Sequence, residues 1–184
     1  LNLNMHPHGT WGGVGAAAAL ARLLKLDGND TKELLNIASS LTLATSRKTM
    51  LEGGTVRNTY AGISNQMALM SLKLLTAGFC GETDGIKSVF GSVVANDLDE
   101  NKARENIGAR FEINRNYFKL YSCCRYNHAA LDCLWHLIER HPELRNFQRI
   151  DAITVESNSL AAELKDKNPK NTLAAKFSIP FAIA

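Results

Sequence analysis

Between Thr10 and Leu26 the apolar residues Ala16, Ala19, Leu20, Leu23 and Leu24 recur at the i, i+3, i+4, i+7, i+8 spacing of one helix face, which predicts a helix. Ala17, Ala18 and Ala21 are also small and apolar. Neighbouring backbones can therefore approach on more than one side, and this helix is expected inside a bundle. A second helix is expected from about Asp30, with Asp30 as N-cap, Glu33 three residues on as in a capping box, and Leu34, Ile37, Ala38 and Leu41 as its buried stripe. After the polar link Ser46, Arg47, Lys48 and the turn-like Glu52-Gly53-Gly54, a third helix runs from about Asn58 to Gly78 with Lys73 as its only charge. That near-absence of charge predicts a largely buried helix, and Gly78 and Gly81 bracket its C-terminal stop.

From Glu82 to Asn114 the pattern breaks into short helical turns and loops, with Asp99 to Glu105 a charged surface helix. The texture then changes. His128 to His141 is amphipathic, with Leu131, Leu134, Trp135 and Ile138 inward and Asp132, His136, Glu139 and Arg140 outward. Phe147 to Glu156 contains the β-branched run Ile153-Thr154-Val155 expected of a strand. The chain is thus expected to be mainly α: an all-helical domain over residues 1–115, then a smaller α+β unit over residues 116–184.

Composition narrows the class. At 45% hydrophobic and 21% charged residues the chain is of ordinary globular type, which argues against disorder, collagen-like repeats or a disulfide-dense mini-protein. A balance of 21 basic against 18 acidic residues is too weak for a nucleic-acid binder. The surplus lies wholly in residues 113–184, scattered as single residues, and suits a small anionic ligand better. The uncharged stretch Gly9 to Ala21 is rich in glycine and alanine and is halted by Arg22, so no membrane span is expected. The chain opens on Leu1 without a basic segment or cleavage signal, and its start is read as a cut end. Cys80, Cys123, Cys124 and Cys133 follow no disulfide framework, so reduced thiols and a cytoplasmic location are expected.

Three segments can carry chemistry. His6-Pro7-His8-Gly9-Thr10 stands directly before the first helix, where free amides and the positive end of the helix dipole favour an anion. A histidine there can meet a carboxylate and move a proton near neutral pH, or both histidines serve as loop caps, or they form a metal-binding pair. Arg57 opens the apolar helix, where its guanidinium needs an anionic partner: a substrate carboxylate held by two parallel hydrogen bonds, or an internal salt bridge. Lys119 to His128 gathers two cations, two thiols, two phenols and an imidazole in ten residues. Arg125 or His128 can activate a nucleophilic cysteine, Cys124 with His128 gives half a zinc site, and simple packing of the thiols is the plainer reading. Lys176-Phe177-Ser178 reads as a surface lysine followed by core residues.

Taken in order and separation, these segments resemble the MmgE/PrpD family, which holds 2-methylcitrate dehydratases, cis-aconitate decarboxylases and iminodisuccinate epimerases. The resemblance is carried by His6-Pro7-His8-Gly9-Thr10-Trp11-Gly12, Leu24-Lys25-Leu26-Asp27, Val56-Arg57-Asn58-Thr59-Tyr60-Ala61-Gly62 and Ala77-Gly78-Phe79. Lys119-Leu120-Tyr121, Cys124-Arg125-Tyr126 with His128 and Asp132, and the closing Ala175 to Ala182 complete it.

The resemblance implies part of a large all-helical domain followed by part of a smaller α+β lid. It also implies a homodimer, an active site in the cleft between the domains and a di- or tricarboxylate substrate. By this likeness His6 corresponds to an active-site histidine, Arg57 to a basic residue facing the substrate and Lys119 to the lysine at the lid edge. Cys124 stands where decarboxylase members carry a further histidine, Phe181 where many members have tyrosine, and Arg125 lies beside them in the substrate-facing set. Ser122 replaces the usual proline and His8 the usual threonine. The activity implied is removal of a proton alpha to a carboxylate followed by loss of water or return of the proton, as in a 2-methylcitrate dehydratase, with His6 and Lys119 catalytic. No organic cofactor and no required metal are expected. The alternative is a non-catalytic dimerisation module of the same family.

Overall fold

The computed structural model describes residues 2–184. It is mainly helical and divides into two compact units, one built from the residues up to Thr49 together with Val56–Phe111, the other from Met50–Thr55 and Glu112–Ala184. The first unit holds α1 (Pro7–Leu24), α2 (Gly28–Ser40), the start of α3 (Lys48–Leu51), most of a 3-10 turn (Thr55–Thr59), α4 (Tyr60–Thr76), α5 (Gly85–Ser88) and α6 (Glu100–Arg104). The second holds α7 (Arg125–Arg140) and the short helices α8 (Ser159–Ala162), α9 (Thr172–Lys176) and α10 (Ile179–Ile183).

In the first unit α1, α2 and α4 pack on one another. The buried face of α1 is not the leucine stripe that the periodicity picks out. Thr10, Gly13, Ala17 and Ala21 are buried, whereas Leu23 and Leu24 are exposed. The facing stripe of α4 is equally small: Ser64, Ala68 and Ser71 below Tyr60. Small residues on both sides let the axes draw close, and a Cβ placed on Gly12 would lie 2.5 Å from Ser64 Oγ and 3.3 Å from Ser64 Cβ. Close approach therefore selects the inward face over side-chain bulk. For the same reason α4 is buried along one stripe only, contrary to the expectation of extensive burial. Ile63, Leu69 and Met70 remain exposed because, among the described helices, only α1 and α2 cover it to any extent.

Helix α2 starts earlier than its sequence suggests. Asp27, not Asp30, is the N-cap, with its carboxylate accepting from the Asp30 N–H at 2.9 Å. Glu33 is thereby free of a capping role and accepts from the N–H of Gly81. Leu34, Ile37 and Ala38 are buried as expected. Past the end of α4, Gly78 has φ +82, the left-handed conformation that ends helices.

The second unit is organised around the start of α7 and a core of Ala161, Leu164 and Ile179. Asn127 is fully buried and its Nδ2 donates to Ser178 O at 3.2 Å and Lys176 O at 3.4 Å, tying α7 to the stretch between α9 and α10. Trp135, expected inward, is 55% exposed. The strand expected at Ile153-Thr154-Val155 does not form: the run has no regular secondary structure and no ladder partner among the described residues. A β-branched run sets a local preference, but a strand needs a second segment to take its N–H and C=O groups.

Candidate functional site

His6 is placed by the proline that follows it. A residue before proline is pushed to extended backbone, and His6 (φ −94, ψ 113) becomes the N-cap of α1 with Pro7 at the first helical position. Its Nδ1 accepts from the His8 N–H at 3.4 Å. Its main chain is fixed on both sides by Thr45, whose carbonyl accepts from His6 N at 2.8 Å and whose hydroxyl donates to His6 O at 2.8 Å. The imidazole is buried, 4.4 Å from the ring of His8 and 5.8 Å edge-on from the buried ring of Tyr60.

Burial first, then the neighbouring charges of His8, Arg57 and Arg47, lower the His6 pKa from 6.5 to about 4. At neutral pH the ring is therefore uncharged. With Nδ1 turned toward an N–H, the uncharged ring carries its proton on Nε2 and is a donor there. Arg57 is half-buried on the turn before α4. His6 and Arg57 thus lie in one electrostatic neighbourhood, joined by His8, Arg47 and Tyr60. Arg47 was legible only as part of a polar link, because nothing in its local pattern distinguishes a surface cation from one beside a histidine.

Lys119, Cys124, Arg125 and Phe181 lie in the second unit. Lys119 is exposed and its Nζ donates to Cys123 O at 3.3 Å, just before α7. Cys124 is the N-cap of α7 without a side-chain cap bond; its N–H donates to Lys176 O at 2.8 Å and its half-buried side chain packs on the Ala161, Leu164, Ile179 core. The Arg125 guanidinium lies 5.0 Å over the ring of Tyr117. The Tyr121 hydroxyl donates to Asp132 at 2.7 Å, and its ring meets the buried His128 edge-on at 5.1 Å. Burial, foremost among several influences, pushes the Cys123 thiol up, which disfavours the thiolate that nucleophilic attack needs. Phe181 is 55% exposed on α10, where its N–H donates to Ser178 Oγ at 3.0 Å. Among the described residues no group of three or more His, Cys, Asp or Glu side chains is placed to hold a metal ion, and no helix is long and apolar enough to cross a membrane.

Residues 121–184 match the family model of the MmgE/PrpD C-terminal domain. Along its whole length, in an alignment of 200 residues, the chain is 22% identical to a cis-aconitate decarboxylase of Aspergillus terreus and equally to that of A. terreus strain NIH 2624 / FGSC A1156. It spans 40% of the length of these curated relatives. The matched segment begins at Tyr121 and takes in all of α7, with Cys124 as its N-cap, and the closing helices; over these residues the chain is similar to the MmgE/PrpD C-terminal domain.

Proposed function

We propose that the protein of which this chain is part is a lyase or isomerase of di- or tricarboxylates, working by proton removal alpha to a carboxylate in the manner of a 2-methylcitrate dehydratase. The observation that carries this reading is the buried, uncharged His6 set among Arg57, Arg47 and His8. Cations beside a ring that burial, first of all, keeps uncharged are a favourable place for a substrate carboxylate, and Arg57 is the group suited to hold one by two parallel hydrogen bonds.

Removing an α-proton sends negative charge onto the adjacent carboxylate as an enediolate. Donors fixed before the reaction stabilise that charge without reorganising. His6 is such a donor through Nε2–H, its ring held by the His8 N–H and its backbone by Thr45. The base that takes the α-proton is then a separate group. When a bound carboxylate offsets Arg57, the proton affinity of His6 rises, and the imidazolium so formed can protonate a departing hydroxyl. Lys119 supplies a second ammonium for a carboxylate. The thiol of Cys124, at the position where the resemblance puts a histidine in decarboxylase members, favours dehydration or epimerisation over decarboxylation. The name of the A. terreus relatives supports a tricarboxylate-sized substrate. The homodimer and the cytoplasmic location implied by the family belong to the same proposal, as does catalysis without cofactor or metal.

The test is a screen of the intact gene product against 2-methylcitrate, citrate, cis-aconitate and iminodisuccinate. Turnover of one of them is expected, and His6→Ala and Lys119→Ala should each lower kcat/KM by about 100-fold or more. Unchanged rates in both variants would end the assignment.

A further inference from the structure

Lys119 stands on an irregular stretch, residues 116–124, with no helix or strand of its own to fix it. Its place is also an unfavourable one for a cation. The ammonium donates to Cys123 O, one residue before the N-cap of α7, where the positive end of the helix dipole opposes positive charge. Its position is therefore set by contacts on either side of it. Two residues before Lys119, the ring of Tyr117 lies 5.0 Å from the guanidinium of Arg125, the first residue of α7. Two residues after it, the Tyr121 hydroxyl donates to Asp132, further along the same helix, at 2.7 Å. The Tyr121 ring also meets His128 edge-on at 5.1 Å. His128 is buried and its Nε2 has no hydrogen-bond partner among the described residues, so it backs the Tyr121 ring by packing and leaves the bond to Asp132. That bond, before any other influence, pushes the Tyr121 phenol up, which keeps it protonated and donating.

We infer that Tyr121 and Asp132 are positioning residues for Lys119: their hydrogen bond, with the Tyr117–Arg125 contact at the other end, straps residues 117–121 onto α7 and fixes the backbone that carries the ammonium. The inference rests on the reading of Lys119 as a group that takes a substrate carboxylate. A lysine loses much rotamer freedom when it holds an anion, and a backbone ordered beforehand removes part of the cost of binding. Neither Tyr121 nor Asp132 has to touch the acid. The Tyr121 hydroxyl, already given to Asp132, acts on the acid only through where it leaves Lys119.

The test uses the intact gene product and two readouts. The first needs no substrate: the order parameter of the Lys119 amide from nitrogen-15 relaxation. It should be about 0.85 in wild type and fall toward about 0.6 in Tyr121→Phe and in Asp132→Ala. Asp132→Asn keeps an acceptor for the phenol and should keep the wild-type value. The second readout is kcat/KM for the acid that the substrate screen identifies. Tyr121→Phe and Asp132→Ala should each lower it by about 10-fold, chiefly through KM, and should change nothing further in a Lys119→Ala background. Losses of equal size in that background would show a general structural role and overturn the inference. An unchanged Lys119 amide in both variants would overturn it too. Absence of turnover with every acid counts against the lyase or isomerase reading alone, and the amide relaxation then decides by itself whether the strap holds Lys119.

Discussion

His6 Nδ1 accepts a hydrogen bond from the main-chain N–H of His8, two residues on in its own helix. One contact therefore does two things: it caps α1, and it assigns the proton of the uncharged ring to Nε2. A histidine with its pKa lowered to about 4 among cations is poorly suited to hold a proton alone and well suited to lend one to an anion.

The first prediction concerns acid stability. Because the folded His6 pKa lies below its unfolded value of 6.5, the unfolded chain binds the extra proton more readily between those two values. The contribution is fully present above pH 6.5 and is lost as the pH falls toward about 4, by an amount on the order of 3 kcal/mol. Asn at position 6 can keep the N-cap without titrating. Urea unfolding of wild type and His6→Asn from pH 4 to 7 should show the wild type losing more stability on acidification; parallel curves would contradict the burial of His6 beside cations.

Arg57 acts on His6 through its charge. In Arg57→Gln the His6 pKa should rise from about 4 toward the ordinary value, read from its imidazole resonances. The same variant should weaken citrate binding, measured calorimetrically, by about 10-fold, the scale of one charge-assisted contact. A pKa that stays put would remove Arg57 from the neighbourhood of the ring.

The close approach of α1 to α4 is testable at Gly12. The added methyl of Gly12→Ala would meet Ser64 Oγ, whose hydroxyl already donates to Ala61 O at 3.0 Å, so it should destabilise by about 1–3 kcal/mol in denaturant unfolding. Trimming the opposing side chain in Gly12→Ala/Ser64→Gly should recover part of that loss, and strictly additive effects would mean that the two positions do not touch.

Asn127 holds the second unit by two main-chain carbonyls. Asn127→Leu keeps the volume and removes both donors, leaving buried carbonyls unsatisfied, and should cost about 2–3 kcal/mol in thermal or denaturant unfolding. A variant as stable as wild type would show that those carbonyls find other partners.

Much of this architecture is written in local pattern. The helices of residues 7–24, 28–40, 60–76 and 125–140 follow from periodicity and breakers, and Gly78 stops its helix by the left-handed backbone that glycine allows. What local pattern does not carry is partnership. Leu23 and Leu24 look like core and lie outside, because Gly12 permits an approach that a side chain there would block. Asp27 rather than Asp30 caps α2, since Glu33 is taken by Gly81, a partner 48 residues away. At the site, Pro7 marks His6 as the start of a helix, but the nearness of Arg47 depends on Thr45 pairing with the His6 backbone, which no spacing announces.

The most direct measurement is a titration of the His6 imidazole by nuclear magnetic resonance in the intact protein, with and without saturating citrate. Without ligand the ring should titrate at about 4 with its neutral-form proton on Nε2, and citrate should move the titration upward as its carboxylates offset Arg57 and Arg47. A ring that titrates near 6.5 and ignores citrate would contradict a histidine set among cations to receive a polycarboxylate.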